Sequence, residues 1–314
     1  MGLREIRFGI STGGATSRAE WQERARRVEA LGYDILLTAD HLVDDVFPPL
    51  LPLVSAADVT ERLRVGTYVV NNDFRHPVLL AREAAALGLL SDGRFVLGLG
   101  AGHMRSEYDE AGIPFDGGAV RVDRLEESVA IVRGLLDGDE VTHSGEHYTV
   151  TGHTSWPTAP RVPLLIGGNG RRVLALAARS ADAVGFAGFS HNRDATEVRL
   201  THFTAEGLDE QVAWVRENAG DRFDDLELTA LVQIAQVTDD RRSAAAAIAE
   251  RLDQLTVDQV LDSPYLFLGT VPQIVEQVRA ARERWGITTW VSFGERPRSD
   301  QTLDTLAPVI EALQ

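Results

Sequence analysis

Cysteine is missing from all 314 residues, which rules out disulfides, thiolate nucleophiles and zinc–thiolate sites. Lysine is missing too. Every one of the 31 basic residues is arginine, so neither a lysine Schiff base nor a lysine general base can operate, and aldolase-type chemistry is excluded. No apolar run approaches the ~20 residues of a membrane span, and the opening GLREIRFGISTGG turns polar too early for a signal peptide. The expected location is therefore cytoplasmic, with no membrane partner. Positive charge is scarce: a net charge of −16 argues against a nucleic-acid partner, and an anionic small molecule would need a local arginine cluster.

With 44% apolar residues the chain can bury a large core. Short apolar runs alternate with helical stretches. Strands are expected at Ile6–Ser11, Asp34–Thr38, Arg64 to about Val70, within Gly93–Gly102 on the apolar run of Phe95, Val96, Leu97 and Leu99, and at Val162–Ile166, Ala183–Phe186, Leu226–Gln236 and Thr288–Phe293. Helices are expected from Ser17 to about Leu31, after Pro52, and over Pro77–Leu90, Val122–Leu136, Arg171–Arg179, Leu208–Asn218, Arg241–Leu255, Val271–Trp285 and Gln301–Leu313. Ser17 with Glu20 forms a capping box, and Pro77 suits a first helical turn. Nearly continuous apolar strands separated by helices describe a parallel sheet covered on both faces, and eight of them favour a closed (β/α)8 TIM barrel of the α/β class. One domain over residues 1–314 is expected. An inserted region at about 103–162 interrupts it, with a loop over 103–118, a helix and a hairpin at VTHSGEHYTV. Residues 187–207 and 256–270 read as loops.

A barrel gives its site an address, because ligands collect at the C-terminal ends of the strands. Four stretches there carry unusual punctuation. GRFVLGLGAG, residues 93–102, ends a buried strand in glycines that either let a backbone approach a ligand or close a tight packing corner. Asp40–His41 sets an imidazole beside a carboxylate at a strand tip, which suits a general acid or base but also an ordinary loop histidine after a capping aspartate. Asn71–Asn72–Asp73 offers amides that can reach a heterocycle's edge, or simply a turn. GGNGRR, residues 167–172, opens directly into a helix, the grammar of phosphate binding. A catalytic metal is not expected, because the first strand, ending FGISTGG, lacks an H-x-H pair and His143, His147 and His153 belong to the hairpin region.

With these stretches in hand, the chain resembles the luciferase-like monooxygenase superfamily, and within it the deazaflavin branch that uses coenzyme F420 (8-hydroxy-5-deazaflavin). The resemblance rests on TADH at 38–41, GTYVVNNDFRHP at 66–77, GRFVLGLGAGHMRSEY at 93–108, PLLIGGNGRRVLALAARSADAVG at 163–185 and LGTVPQIVEQV at 268–278. It implies that His41, next to Asp40, moves a proton beside the ring. Tyr68–Val69 falls where the family has a non-prolyl cis peptide against the cofactor's back face. Asn71 would contact the ring edge, Gly100, Ala101 and Gly102 would pass along the cofactor, and Gly167, Gly168, Asn169, Gly170 and Arg171 would hold its phosphate. The family's sugar-phosphate dehydrogenase carries Glu where His103 stands, so that substrate is not implied, and His103 can serve as a second acid or base.

The expected activity is hydride transfer between F420 and a small organic substrate, either an alcohol/carbonyl pair or an activated double bond. Loops 103–118 and 187–207, with Phe189 and His191, would wall the substrate. Alternatives are an FMN-dependent monooxygenase using reduced flavin and oxygen, and a non-catalytic cofactor-binding barrel. A homodimer pairing through helices near the second and third strands is also implied.

Overall fold

The computed structural model describes residues 5–43, 45–158, 160–192, 197–294 and 302–314. Strands β1 (Arg7–Thr12), β2 (Ile35–Thr38), β3 (Arg64–Thr67), β4 (Val70–Asn71) and β5 (Phe95–Gly100) alternate with helices α1 (Arg18–Ala30), α2 (Leu51–Ala57) and α3 (Pro77–Leu90). Then come α4 (Arg105–Ala111), α5 (Gly118–Asp137) and the β6 (Val141–Ser144)–β7 (Thr149–His153) hairpin. The chain continues through β8 (Leu164–Gly168), α6 (Arg171–Ser180), β9 (Ala183–Phe186), β10 (Phe189–His191), β11 (Val198–Leu200) and α7 (Ala205–Ala219). It finishes with β12 (Glu227–Leu231), β13 (Ile234–Val237), α8 (Arg241–Leu252), α9 (Val257–Asp262), β14 (Leu266–Gly269), α10 (Val271–Trp285), β15 (Ile287–Gly294) and α11 (Ala307–Glu311).

The main sheet runs β3-β2-β1-β15-β12-β9-β8-β5-β4, and pairing of β3 with β5 closes it. All these pairings are parallel, and β3 and β4 are two halves of one staff, so this is the (β/α)8 barrel. The staves are buried on both faces. Inside, Ile35, Leu37, Leu231 and Val291 form one apolar layer and Val96, Leu165 and Ala183 another, with Tyr68 packed against both. Outside, the large core lies between staves and helices, with Phe8, Ile10, Leu36, Leu97, Leu164 and Trp290 among its members. No described helix is long and apolar enough to cross a membrane.

Several expectations need correction. The third stave is not continuous over Arg64–Val70, because the Tyr68–Val69 peptide is cis and separates β3 from β4. Opposite this break, a Cβ on Gly98 would collide with the Thr67 carbonyl, and one on Gly100 would come within 2.7 Å of Val69 Cγ2. Gly98 and Gly100 therefore make room for the neighbouring stave.

The seventh strand stops at Leu231, and the chain restarts as β13 beside β14 in a separate two-stranded sheet, so 256–270 is α9 plus a strand, not a loop. Similarly, 103–118 contains α4, and 187–207 contains the antiparallel β10–β11 ribbon. The last helix is shorter than expected, Ala307–Glu311. Its expected start at Gln301 lies outside the described residues, as do residues 193–196 of the expected wall and residue 44 of the loop after β2.

Candidate active site

At the C-terminal mouth of the barrel, β2 ends in Thr38 and delivers Asp40 and His41, while β5 ends in Gly100 and turns through Gly102 to His103. Gly102 has φ +74°, and a Cβ there would strike the Tyr108 hydroxyl and the Asn71 amide, so this turn belongs to glycine. The turn launches α4, whose first turn brings Glu107 to His41.

Glu107 Oε1 lies 2.8 Å from His41 Nδ1, and Glu107 is only 2% exposed. A carboxylate accepts and does not donate, so Nδ1 is the donor and Nε2 has no hydrogen-bond partner among the described residues. The His41 ring meets His103 edge-on at 5.4 Å between centroids, and His103 lies 4.8 Å from His191 and 6.3 Å from Phe189. Burial is the main force holding His103 below the usual imidazole range, to about 3, and His41, His191 and Arg121 add to it. His191 is lowered as well, by burial and then by the Arg121 charge. Both rings are neutral at ordinary pH, so His41 has no charged imidazole beside it.

Asp40, expected beside the chemistry, is engaged elsewhere. Its Oδ2 accepts from the Asn71 backbone N–H at 3.0 Å and pairs with Arg75, tying β2 to the segment after β4. Asn71 has its Oδ1 occupied, 3.1 Å from the Asp73 N–H and 3.0 Å from the buried Tyr108 hydroxyl. That fixes the amide's orientation and leaves Nδ2 as a donor without a protein acceptor among the described residues. The Tyr108 hydroxyl is also 3.0 Å from Asp73 Oδ2, and burial raises its pKa further from neutrality. Arg124 completes the brace, 2.8 Å from Asp73 Oδ1 and paired with Asp116.

Tyr68 is half-buried and packs against both interior layers. Its ring lies in the barrel interior, where a Cβ on Gly185 would be 3.0 Å from Tyr68 Oη, and burial pushes the phenol's pKa up. Val69 lies in the room left by Gly98, Gly100 and Gly167. Ala101 is half-buried at the start of the turn. At the far side, β8 leads through Gly167 and Gly168 to Gly170, which starts α6 with no side-chain cap, so the first-turn N–H groups can meet an anion. Asn169 is held by Thr201 and by Gln211, whose Nε2 donates to its carbonyl at 2.8 Å. Arg171 reaches Glu217 at 3.1 Å, and Arg172 is shared between Glu126 at 2.7 Å and Asp123. The two arginines expected to add charge to that anion site are thus paired on the outer surface.

These features fit a phosphate-bearing flavin-like ring: an imidazole after β2, an oriented amide donor at the end of β4 and an uncapped helix start after β8, on staves that follow one another around the mouth. Among the described residues no cluster of three or more His, Asp or Glu could hold a metal ion. Glu107 is the functional residue that sequence reasoning missed. Only the Gly112 stop after SEYDEA hinted that this segment is a helix with an inward face.

The family model described as luciferase-like monooxygenase matches residues 5–289. The chain is 35% identical over 163 residues to a protein of Beutenbergia cavernae named F420-dependent glucose-6-phosphate dehydrogenase, a match covering 49% of this chain and 48% of that one. A protein of the same name from Nakamurella multipartita is 31% identical over 248 residues, covering 76% of this chain and 70% of the relative. The chain thus spans about half the length of the first of these relatives. A solved F420-dependent secondary alcohol dehydrogenase, in complex with an F420-acetone adduct, superposes with TM-score 0.76 at 18% identity, covering 99% of this chain and 100% of that one.

Proposed function

The chain belongs to the luciferase-like monooxygenase family, and from that premise we propose that it is an oxidoreductase that binds coenzyme F420 in the barrel mouth and acts on a small organic alcohol/carbonyl pair or activated double bond. The observation that carries the reading is the buried Glu107 carboxylate 2.8 Å from His41 Nδ1, at the strand ends where barrel sites form. Sequence relatives named for F420 support the cofactor.

When bound, the deazaflavin supplies a ring carbon that accepts or releases hydride. The chain does the rest. Asn71 Nδ2 donates to the ring edge, and the N-terminus of α6, with the glycines before it, holds the phosphate. Glu107 keeps the proton on Nδ1 of His41, so that Nε2 takes the substrate's hydroxyl proton in oxidation and returns it in reduction. Phe189, His103 and His191 exclude water from one side while remaining neutral. Asp40 holds the strand ends in register and takes no part in proton transfer. A homodimer is part of the proposal, through the exposed leucines Leu51 of α2 and Leu79 of α3.

The test is reconstitution. The protein is expected to bind F420 more tightly than FMN and to turn over without oxygen, with His41→Ala lowering turnover while retaining the coenzyme. Oxygen-dependent turnover with reduced FMN alone would replace this reading with the monooxygenase one. Unchanged turnover in His41→Ala would remove the proton carrier.

A further inference from the structure

Among the described residues, Arg121 near the mouth has no carboxylate of its own. Arg121 lies one turn into α5, with its guanidinium carbon 4.1 Å from the centre of the Phe115 ring, and Arg105 approaches the same ring at 5.9 Å. Arg121 Nη1 donates to the Asp116 carbonyl at 2.7 Å, and its Nε is buried without a hydrogen bond among the described residues. No described carboxylate forms an ion pair with it. The two acids close enough to feel its charge, Asp73 and Asp116, are both bonded to Arg124, while Asp40 is taken by Arg75 and Glu107 by His41.

The stacked, tethered fork is therefore held rigid with donor capacity unspent, in a protein of net charge −16 whose general field repels anions. The Phe115 ring under it lies 4.9 Å from Tyr108, whose hydroxyl meets Asn71 at the mouth, and the Arg121 charge also helps to lower His103 and His191. Their rings lie 4.8 Å apart, and neither has a hydrogen bond among the described residues. His103 in turn touches His41 at 5.4 Å.

We propose that Arg121 is a specificity-determining residue that binds a carboxylate on the substrate, with the His103–His191 pair lining the same subsite. The inference rests on the reading of the mouth as the reaction site, and it names the substrate class as a hydroxy, oxo or unsaturated acid. One guanidinium without a carboxylate partner among the described residues matches a monoanion. A planar fork fits a carboxylate bidentately, whereas a phosphate dianion would leave charge uncompensated.

The experiment uses the whole protein, without and with F420, and propionate as the probe. Its neutral isostere propionamide and inorganic phosphate serve as comparisons. Binding is read by calorimetry and located by the imidazole resonances of His103 and His191. Propionate is expected to shift both resonances, propionamide to bind at least about tenfold more weakly, and Arg121→Gln to lose at least about tenfold in propionate affinity. Arg121→Lys should recover part of that loss, and F420 affinity should be unchanged in both variants.

Equal binding of propionate and propionamide, or propionate binding that survives Arg121→Gln, overturns the proposal. So does an absence of any shift at attainable propionate concentrations. Preference for phosphate makes the site one for a phosphorylated group, and loss of F420 affinity in Arg121→Gln assigns the arginine to the coenzyme; either result also overturns it. Failure of wild-type protein to bind F420 refutes the function proposed above instead, while the propionate arm without coenzyme still reads the anion site.

Discussion

Replacing Glu107 by glutamine removes one charge and almost no volume from a position that is 2% exposed. The carboxylate's only hydrogen bond among the described residues is the 2.8 Å contact with His41 Nδ1. A hydrogen bond to a charged group contributes about 1.5–3 kcal/mol net. If that contribution is lost only as His41 accepts a proton, it translates into roughly a 10- to 150-fold fall in kcat. The neutral amide also presents an oxygen or an N–H to the ring, so it no longer dictates the tautomer. Imidazole 15N shifts in the coenzyme-free protein read this directly: wild type should show the proton on Nδ1, and Glu107→Gln a mixture of tautomers. F420 affinity and thermal stability should barely change. A variant that kept both wild-type kcat and the single tautomer would refute the positioning role of Glu107, because a merely structural carboxylate would leave both untouched.

Other outcomes follow from the same geometry. His103 is held near 3 when folded and titrates near its ordinary 6.5 when unfolded. The unfolded chain therefore takes up the extra proton first, and stability present above about pH 6.5 drains away as pH falls towards 3; denaturant titrations at about pH 7 and about pH 5 should show a smaller acid loss for His103→Asn than for wild type. Gly98→Ala should destabilise the barrel by at least about 1–3 kcal/mol in the same assay, because its Cβ meets the Thr67 carbonyl and Val69. A neutral result there would show that the third and fourth staves are not pressed together. Leu79→Arg, on a side chain 56% exposed, should shift sedimentation from dimer to monomer without altering F420 affinity.

The barrel was readable because its staves are apolar on both faces: FVLGLG, AVGF and ILLT announce themselves as buried parallel strands, and α10 begins and ends at its expected residues. The β13–β14 annex was not. Val232, Ile234 and Ala235 extend the apolar run past Leu231, and periodicity cannot say that the strand leaves the barrel there to pair with Leu266–Gly269. α4 was hidden because MRSEYDE has no apolar stripe; its inward residues are Glu107 and Tyr108, one charged and one aromatic.

His41 could be nominated from its place at a strand tip, but its partner lies 66 residues away and no local spacing links them. Conversely, Asp40 and Arg171 were nominated by adjacency in sequence, and no local spacing announced that the fold pairs them with Arg75 and Glu217. Local grammar locates the mouth; only the fold decides which charges there are already spent.

The most direct measurement is a titration of F420 into isotopically labelled protein, following the Asn71 side-chain amide and the His41 imidazole together with coenzyme fluorescence. The account predicts that both resonances move, saturating with the dissociation constant that the fluorescence reports. F420 that fails to bind, or that binds and leaves Asn71 and His41 unmoved, would contradict it.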